Sequence, residues 1–292
     1  MFAGVHTALV TPFAKGGIDA EAFRALIDHQ FANGIHGIVP VGTTGESPTL
    51  SHEEHIRVME LAVEHTQRRG LVIAGTGSNS TDEAVMLTHS AVKAGADACL
   101  VVAPYYNKPS QEGLYRHFRT ISEATELPIM LYSIPGRCGV AIEVDTVARL
   151  ATDCPNIIAI KEAGGNVERV SQLAQALPES FEILSGDDSL TVPFMSVGAV
   201  GVVSVASNLV PADVVALVQA MAEGRLGNAR TAHHKLYHLL SGLLKLDTNP
   251  VPIKAALAIA GRCSAEVRLP MVELDAAKQS ELQSLLSTLG IV

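Results

Sequence analysis

Cysteine is scarce in this chain and carries no pattern. Cys99, Cys138, Cys154 and Cys263 are the only four in 292 residues. No Cys-x-x-Cys pair occurs and no histidine stands at zinc-finger spacing, so a disulfide scaffold and a structural zinc domain are excluded and reduced thiols are expected. Charge is also sparse, at 17% of residues, and it leans acidic with a formal net charge of −9. An acidic surface suits a phosphate backbone poorly, so no nucleic-acid partner is expected. No apolar run approaches the ~20 residues of a membrane span. The opening Met1-Phe2-Ala3-Gly4-Val5-His6-Thr7 has no basic leader, so the expectation is a cytoplasmic protein without membrane attachment.

Several chemical motifs are missing as well. No Gly-x-Gly-x-x-Gly turn follows an early strand, which argues against a dinucleotide-binding open sheet. Gly42-Thr-Thr-Gly is not followed by Gly-Lys-Ser/Thr, so it is no Walker loop. The histidines of His52-Glu53-Glu54-His55 are three apart, not the spacing of His-Glu-x-x-His. No metal is therefore expected, and none of these motifs points to an organic cofactor. The turns after the last two strands lack the glycine-rich pattern of a barrel phosphate site, which points to an unphosphorylated substrate.

What is present is a large apolar fraction, 48%, enough for a sizeable core. Short β-branched runs ending in Gly, Pro, Thr or Ser recur at Val5–Thr11, Gly37–Gly42, Leu71–Gly77, Ala98–Ala103, Pro128–Ile134, Ile157–Ala163, Glu182–Gly186 and Gly201–Ala206. Amphipathic stretches lie between them. His52–Arg69, for example, puts Ile56, Met59 and Val63 on one face, and Ser51-x-x-Glu54 and Ser80-x-x-Glu83 read as capping boxes. Strands apolar on both faces need helices on both sides. Eight such units predict a (β/α)8 barrel over residues 1–224, followed by a helical C-terminal extension over 225–292, with helices at Gly227–Lys245, Val251–Ala260 and Leu274–Leu289.

In such a barrel the chemistry sits where strands end. Lys161 stands out there, at the end of Ile157-Ile158-Ala159-Ile160. A free lysine is neutral in only about one molecule in a thousand near pH 7.4, but burial disfavours the ammonium and frees a nucleophile. The plain alternative is an ion pair with Glu162. Gly42-Thr43-Thr44-Gly45-Glu46-Ser47 has the composition of an anion-binding turn, or of an ordinary strand–helix turn. Three of the five tyrosines, Tyr105, Tyr106 and Tyr132, fall at adjacent strand ends, suited to proton relay or simply to packing. Arg137 is placed to clamp a second carboxylate, or to sit solvated in its loop. Ser185-Gly186-Asp187-Asp188 closes the seventh strand.

Taken together, Gly42-Thr-Thr-Gly-Glu-Ser, Pro104-Tyr-Tyr-Asn-Lys-Pro, Ile160-Lys-Glu-Ala, Leu184-Ser-Gly-Asp-Asp, Asn249-Pro-Val-Pro-Ile-Lys and Arg268-Leu-Pro-Met closely resemble the dihydrodipicolinate synthase family of pyruvate-dependent class I aldolases, within the N-acetylneuraminate lyase superfamily. The resemblance implies Schiff-base condensation of pyruvate with L-aspartate 4-semialdehyde in lysine and diaminopimelate biosynthesis. It implies the imine at Lys161 and a proton relay of Thr44, Tyr132 and Tyr106, the last supplied by a neighbouring subunit. It implies Thr43 and Thr44 for the pyruvate carboxylate, Arg137 for the semialdehyde, and Gly186 and Val203 along the imine pocket. It further implies a homodimer or homotetramer and a feedback site for L-lysine at Ser47, His52, His55, Asn79, Glu83 and Tyr105. Around Arg137 the chain departs from the family pattern, with Ser133, Gly136 and Cys138 where Asn, Ser and Thr are common; Pro48 replaces a small residue. Sibling aldolases, lyases and dehydratases of sugar acids or sialic acids share the lysine and the turn and are the alternative. A silent paralogue acting as a ligand sensor would be expected to have lost one of Lys161, Thr44, Tyr106 and Tyr132.

Overall fold

In a computed structural model describing residues 1–292, except the side chain of Leu244, eight parallel strands close on one another. They are β1 (Gly4–Ala8), β2 (Gly37–Val39), β3 (Leu71–Gly75), β4 (Ala98–Val102), β5 (Ile129–Ser133), β6 (Ile157–Glu162), β7 (Glu182–Ser185) and β8 (Gly201–Ser204). Each pairs with its sequence neighbours, and β8 pairs back onto β1, so no edge is left open. Helices α1 (Ala20–Ala32), α2 (His52–Thr66), α3 (Thr81–Ala94), α4 (Gln111–Glu123), α5 (Val144–Asp153), α6 (Val167–Ala176), α7 (Thr191–Met195) and α8 (Pro211–Ala222) follow the strands in turn. The (β/α)8 barrel read from the sequence is what the chain forms.

Alternation along the strands builds two cores. Inward residues such as Ile73, Met130, Ala159 and Leu184 fill the barrel. Outward ones such as Ile38, Val101, Leu131 and Ile160 pack under the helices. On β6 this period of two sends Lys161 inward with Ala159 and Glu162 outward with Ile160.

Every expected strand overran its C-terminal end. Gly37–Gly42 stops at Val39, because Val41 takes a left-handed φ of 50° and turns the chain into the barrel mouth. Val41, Ile134 and Val205, just past their strands, line that mouth and do not extend the sheet. On α2 the fully buried face is His55, Val58, Met59 and Ala62, while Ile56 and Val63 flank it half-buried. The Ser51–Glu54 capping box forms in full. The second box does not. Ser80 Oγ accepts from Glu83 N, but the Glu83 carboxylate turns away to Ser78 Oγ and to His52, whose Nε2 lies 2.6 Å from it.

Beyond α8 the chain is helical: α9 (Leu226–Leu246), α10 (Val251–Ile259) and α11 (Ala276–Thr288). α9 packs on α8, and α9, α10 and α11 pack on one another. Val251 to Leu257 are all buried, which makes α10 an inner element of the fold. The sequence signals missed a ribbon of Phe13–Ala14 and Gly17–Ile18 and a helical turn at Pro135–Cys138; both are too short for any period to register.

Candidate active site

Tyr132 and Lys161 are register partners on β5 and β6, so their side chains enter the barrel mouth side by side. Lys161 Nζ stands 4.1 Å from the centre of the Tyr132 ring. The lysine is only 4% exposed. Burial lowers its pKa to about 8; Asp187 and Asp188 oppose that shift, and Arg137 adds to it. Among the described residues no ion pair or hydrogen bond engages Nζ. The alternative of a Lys161–Glu162 pair is overturned: Glu162 lies on the outer face, where its carboxylate takes Arg169 Nε at 2.9 Å and Gly164 N at 2.8 Å. What remains inside is an amine with a substantial neutral fraction near neutral pH.

The surroundings keep that amine in place. A Cβ on Gly186 would stand 2.6 Å from Ala163 Cβ and 3.1 Å from Lys161 Cε, so a side chain there would force Ala163 aside and press on the lysine. Asp188 is held by Ser204 Oγ and by the N–H groups of Val205 and Ala206 at 2.9 and 3.0 Å. Burial raises the pKa of both Asp187 and Asp188. Burial likewise pushes the Tyr132 phenol above its ordinary range, against the pull of Arg137 and of the Thr43 side chain, so it stays a proton donor.

The Gly42–Ser47 turn faces the lysine. Gly45 N and Ser47 N both donate to Gly42 O, at 3.1 and 3.3 Å. Thr44 is buried, and its Oγ1 accepts from Asn249 Nδ2 at 3.0 Å. Thr43, Thr44, Tyr132, Arg137, Lys161, Gly186 and Asp187 are among the residues that line one pocket of ≈ 150 Å³. An adjoining, mostly apolar cavity of ≈ 360 Å³ shares Thr43, Tyr132, Arg137 and Asn249. Arg137 reaches across to donate from Nη2 to Asn249 O at 3.0 Å.

Other expected residues fall differently. Val203 is fully buried in the barrel interior, and the residue of that segment lining the pocket is Val205, further toward the mouth. Tyr106 is 89% exposed with a left-handed φ of 71°, and it lines neither cavity of this chain. Of the six residues for the effector, Ser47 and Tyr105 line the larger cavity and His52 pairs with Glu83. His55 is buried with Nε2 2.8 Å from the Gly75 carbonyl, itself on that cavity's wall. Asn79 is tied through its backbone carbonyl, which accepts from Asn107 Nδ2 at 2.8 Å.

The structure adds residues to which the motifs had assigned no role. Asn249 and Lys254 bring the extension to the turn: Lys254 Nζ donates to Glu46 Oε1 at 2.6 Å, with both side chains fully buried. Arg268 donates its backbone N–H to Glu46 Oε2 at 3.0 Å and grips Glu54 with its guanidinium. One signal was available for Lys254: it is the only charge in Val251–Ile259, an otherwise apolar helix.

A closed barrel with a desolvated, unpaired lysine at a strand end is the layout of a barrel enzyme working through an amine nucleophile. The comparisons narrow this class. The model of the "dihydrodipicolinate synthetase family" matches residues 1–289, and the chain belongs to that family. A 4-hydroxy-tetrahydrodipicolinate synthase from Endomicrobium trichonymphae is 47% identical over 292 residues, covering 100% of both chains. The structure of the same enzyme from Methylacidiphilum fumariolicum SolV superposes with a TM-score of 0.98 at 56% identity, covering 99% of this chain and 96% of that one. A lysine-bound structure of the enzyme from Cyanidioschyzon merolae gives a TM-score of 0.96 at 39% identity, covering 100% and 99%.

Proposed function

We propose that this chain condenses pyruvate with L-aspartate 4-semialdehyde to 4-hydroxy-tetrahydrodipicolinate, a lyase reaction that leads to diaminopimelate and lysine. The observation that carries the reading is Lys161, buried, unpaired, lowered to about pKa 8 and in register with Tyr132. Full-length relatives bearing the synthase name support it over the sibling lyases and dehydratases.

The neutral Nζ attacks the C2 carbonyl of pyruvate, whose carboxylate sits on the Thr43–Thr44 turn. Water leaves and an imine forms. The imine draws electrons from the methyl group, which loses a proton and becomes an enamine. The enamine carbon attacks the aldehyde, with Arg137 holding the second carboxylate. The semialdehyde amine then attacks the imine carbon, and the ring closes as Lys161 departs. Thr44 and Tyr132 carry protons between these steps. Tyr106, exposed here, serves as the third relay member in the mouth of a second copy, which makes the working form a homodimer or a homotetramer. We take residues 1–224 as the catalytic barrel and 225–292 as the helical extension that covers its mouth.

L-Lysine is the proposed feedback inhibitor, held by Ser47, His52, His55, Asn79, Glu83 and Tyr105. The lysine-bound relative, the Ser47 and Tyr105 side chains on the larger cavity and the paired His52–Glu83 support this. The Glu83→Ala variant is expected to lose inhibition by millimolar lysine while keeping most activity. We place the protein in the cytoplasm: its cysteines are free thiols, and no helix among the described residues is long and apolar enough to cross a membrane.

The decisive assay couples purified protein, pyruvate and the semialdehyde to the downstream reductase, with N-acetylneuraminate and 2-keto-3-deoxygluconate in parallel. Turnover of either sugar acid in place of the semialdehyde would assign the chain to a sibling activity.

A further inference from the structure

The buried ion pair between Glu46 and Lys254 joins two segments 208 residues apart, and its place suggests a task beyond holding the fold. Glu46 closes the two-threonine turn in a left-handed conformation, φ 56°, that an ordinary side chain adopts only when its surroundings impose it. Val41, on the other side of the turn, is also left-handed at φ 50°, unusual for a β-branched residue. The turn's own hydrogen bonds are few and of 3.1 to 3.3 Å. From the barrel side the Thr11 hydroxyl donates to Gly45 O at 2.7 Å; the remaining close restraints come from the extension. Both Glu46 oxygens are taken by the extension, Oε1 by Lys254 Nζ at 2.6 Å and Oε2 by Arg268 N at 3.0 Å. Five residues before Lys254, Asn249 donates to Thr44 Oγ1. One stretch of the extension therefore grips the turn at Thr44 and again at Glu46.

A buried ion pair is weak evidence for stability, because desolvating two charges offsets most of their attraction; its best-attested use is to fix one arrangement among several. Here the segment held is the turn that carries Thr43 and Thr44. We propose that Glu46 and Lys254 are positioning residues for the substrate's 2-oxo acid carboxylate: the extension, through this pair, sets the carboxylate-binding geometry of a turn that belongs to the barrel. Neither residue touches the reacting atoms. The inference rests on the pyruvate–Lys161 reading above and deepens it.

The test replaces both partners so that no charge is left stranded. The E46Q/K254M protein is compared with the unaltered chain in thermal unfolding, in KM for each substrate, and in borohydride trapping of the pyruvate adduct. The expected result is a folded protein whose pyruvate KM rises by about tenfold or more, while the semialdehyde KM and the trapping rate at saturating pyruvate stay within about threefold. A purely structural pair predicts otherwise. An unchanged pyruvate KM in the folded double variant, or equal rises in both KM values, overturns the proposal. E46Q/K254Q, which leaves a neutral polar pair and no stranded charge, is read the same way if the first double variant does not fold. Absence of any adduct in the unaltered protein is a separate result that removes the pyruvate reading itself.

Discussion

Two lysines are buried in this chain, and they have opposite company. Lys161 sits in the barrel mouth and Lys254 at the seam between barrel and extension, 4% and 0% exposed respectively. Each lies 4.1 Å from an aromatic ring centre, Tyr132 for the first and Phe13 for the second. Burial lowers the pKa of both. Lys254, however, has a carboxylate at 2.6 Å, whereas the acids near Lys161 act on it only at longer range and are themselves drawn toward neutrality by burial. Burial alone does not make a nucleophile. An unpaired amine facing an open pocket does, and a paired one becomes a strut.

The largest effect expected from this difference is on turnover. Lys161→Ala should lower kcat by at least about 10³-fold, as loss of a covalent nucleophile does, while K254M should still form the pyruvate adduct at saturating pyruvate. Steady-state rates and mass spectrometry of both variants would separate the two roles; comparable turnover loss in both would erase the contrast.

Stability should follow the reverse order. K254M strands the Glu46 carboxylate in the interior and should cost about 3–5 kcal/mol in urea unfolding. K161M strands no partner and should change stability by no more than about 1 kcal/mol. Equal destabilisation would show that Lys161 has a structural counter-ion after all.

Arg137 tests the pocket around the first lysine. Arg137→Ala should weaken semialdehyde capture by about 1.5–3 kcal/mol, roughly a 10- to 150-fold rise in its KM, and leave pyruvate trapping in place. A rise in the pyruvate KM alone would move Arg137 to the other substrate.

The smallest effect is on pH. Below about pH 8 Lys161 is mostly protonated, so adduct formation should rise as pH rises through 8 and level off above it. The Asp187 carboxylate favours the ammonium, so the D187N variant should shift the midpoint to lower pH. A midpoint near that of free lysine would mean that the mouth does not desolvate the amine.

The same pair of lysines shows what could be read from sequence and what could not. The eight strands were legible because parallel strands buried on both faces are continuous apolar runs. Their ends were not, since Pro40-Val41-Gly42 stays apolar while leaving the sheet. Lys161 was legible because the chemistry of a barrel falls at strand ends. Lys254 is an equally lone charge in an apolar helix, yet its partner lies 208 residues upstream, beyond any local pattern. Glu83 failed to complete its capping box for a similar reason: His52, 31 residues earlier, takes its carboxylate. Val203 and Val205 share an inward period, and only the depth of the pocket distinguishes them. Tyr106 is exposed and lines neither cavity of a single chain, so the relay role that the resemblance implies for it would require a second copy.

The most direct measurement is borohydride reduction of the protein with pyruvate, followed by peptide mapping. A reduced pyruvyl group on Lys161 and no other lysine, absent from the Lys161→Ala protein, is the predicted result. A label on Lys254 or another lysine, or equal labelling of the Lys161→Ala protein, would contradict the assignment of the unpaired lysine as the nucleophile.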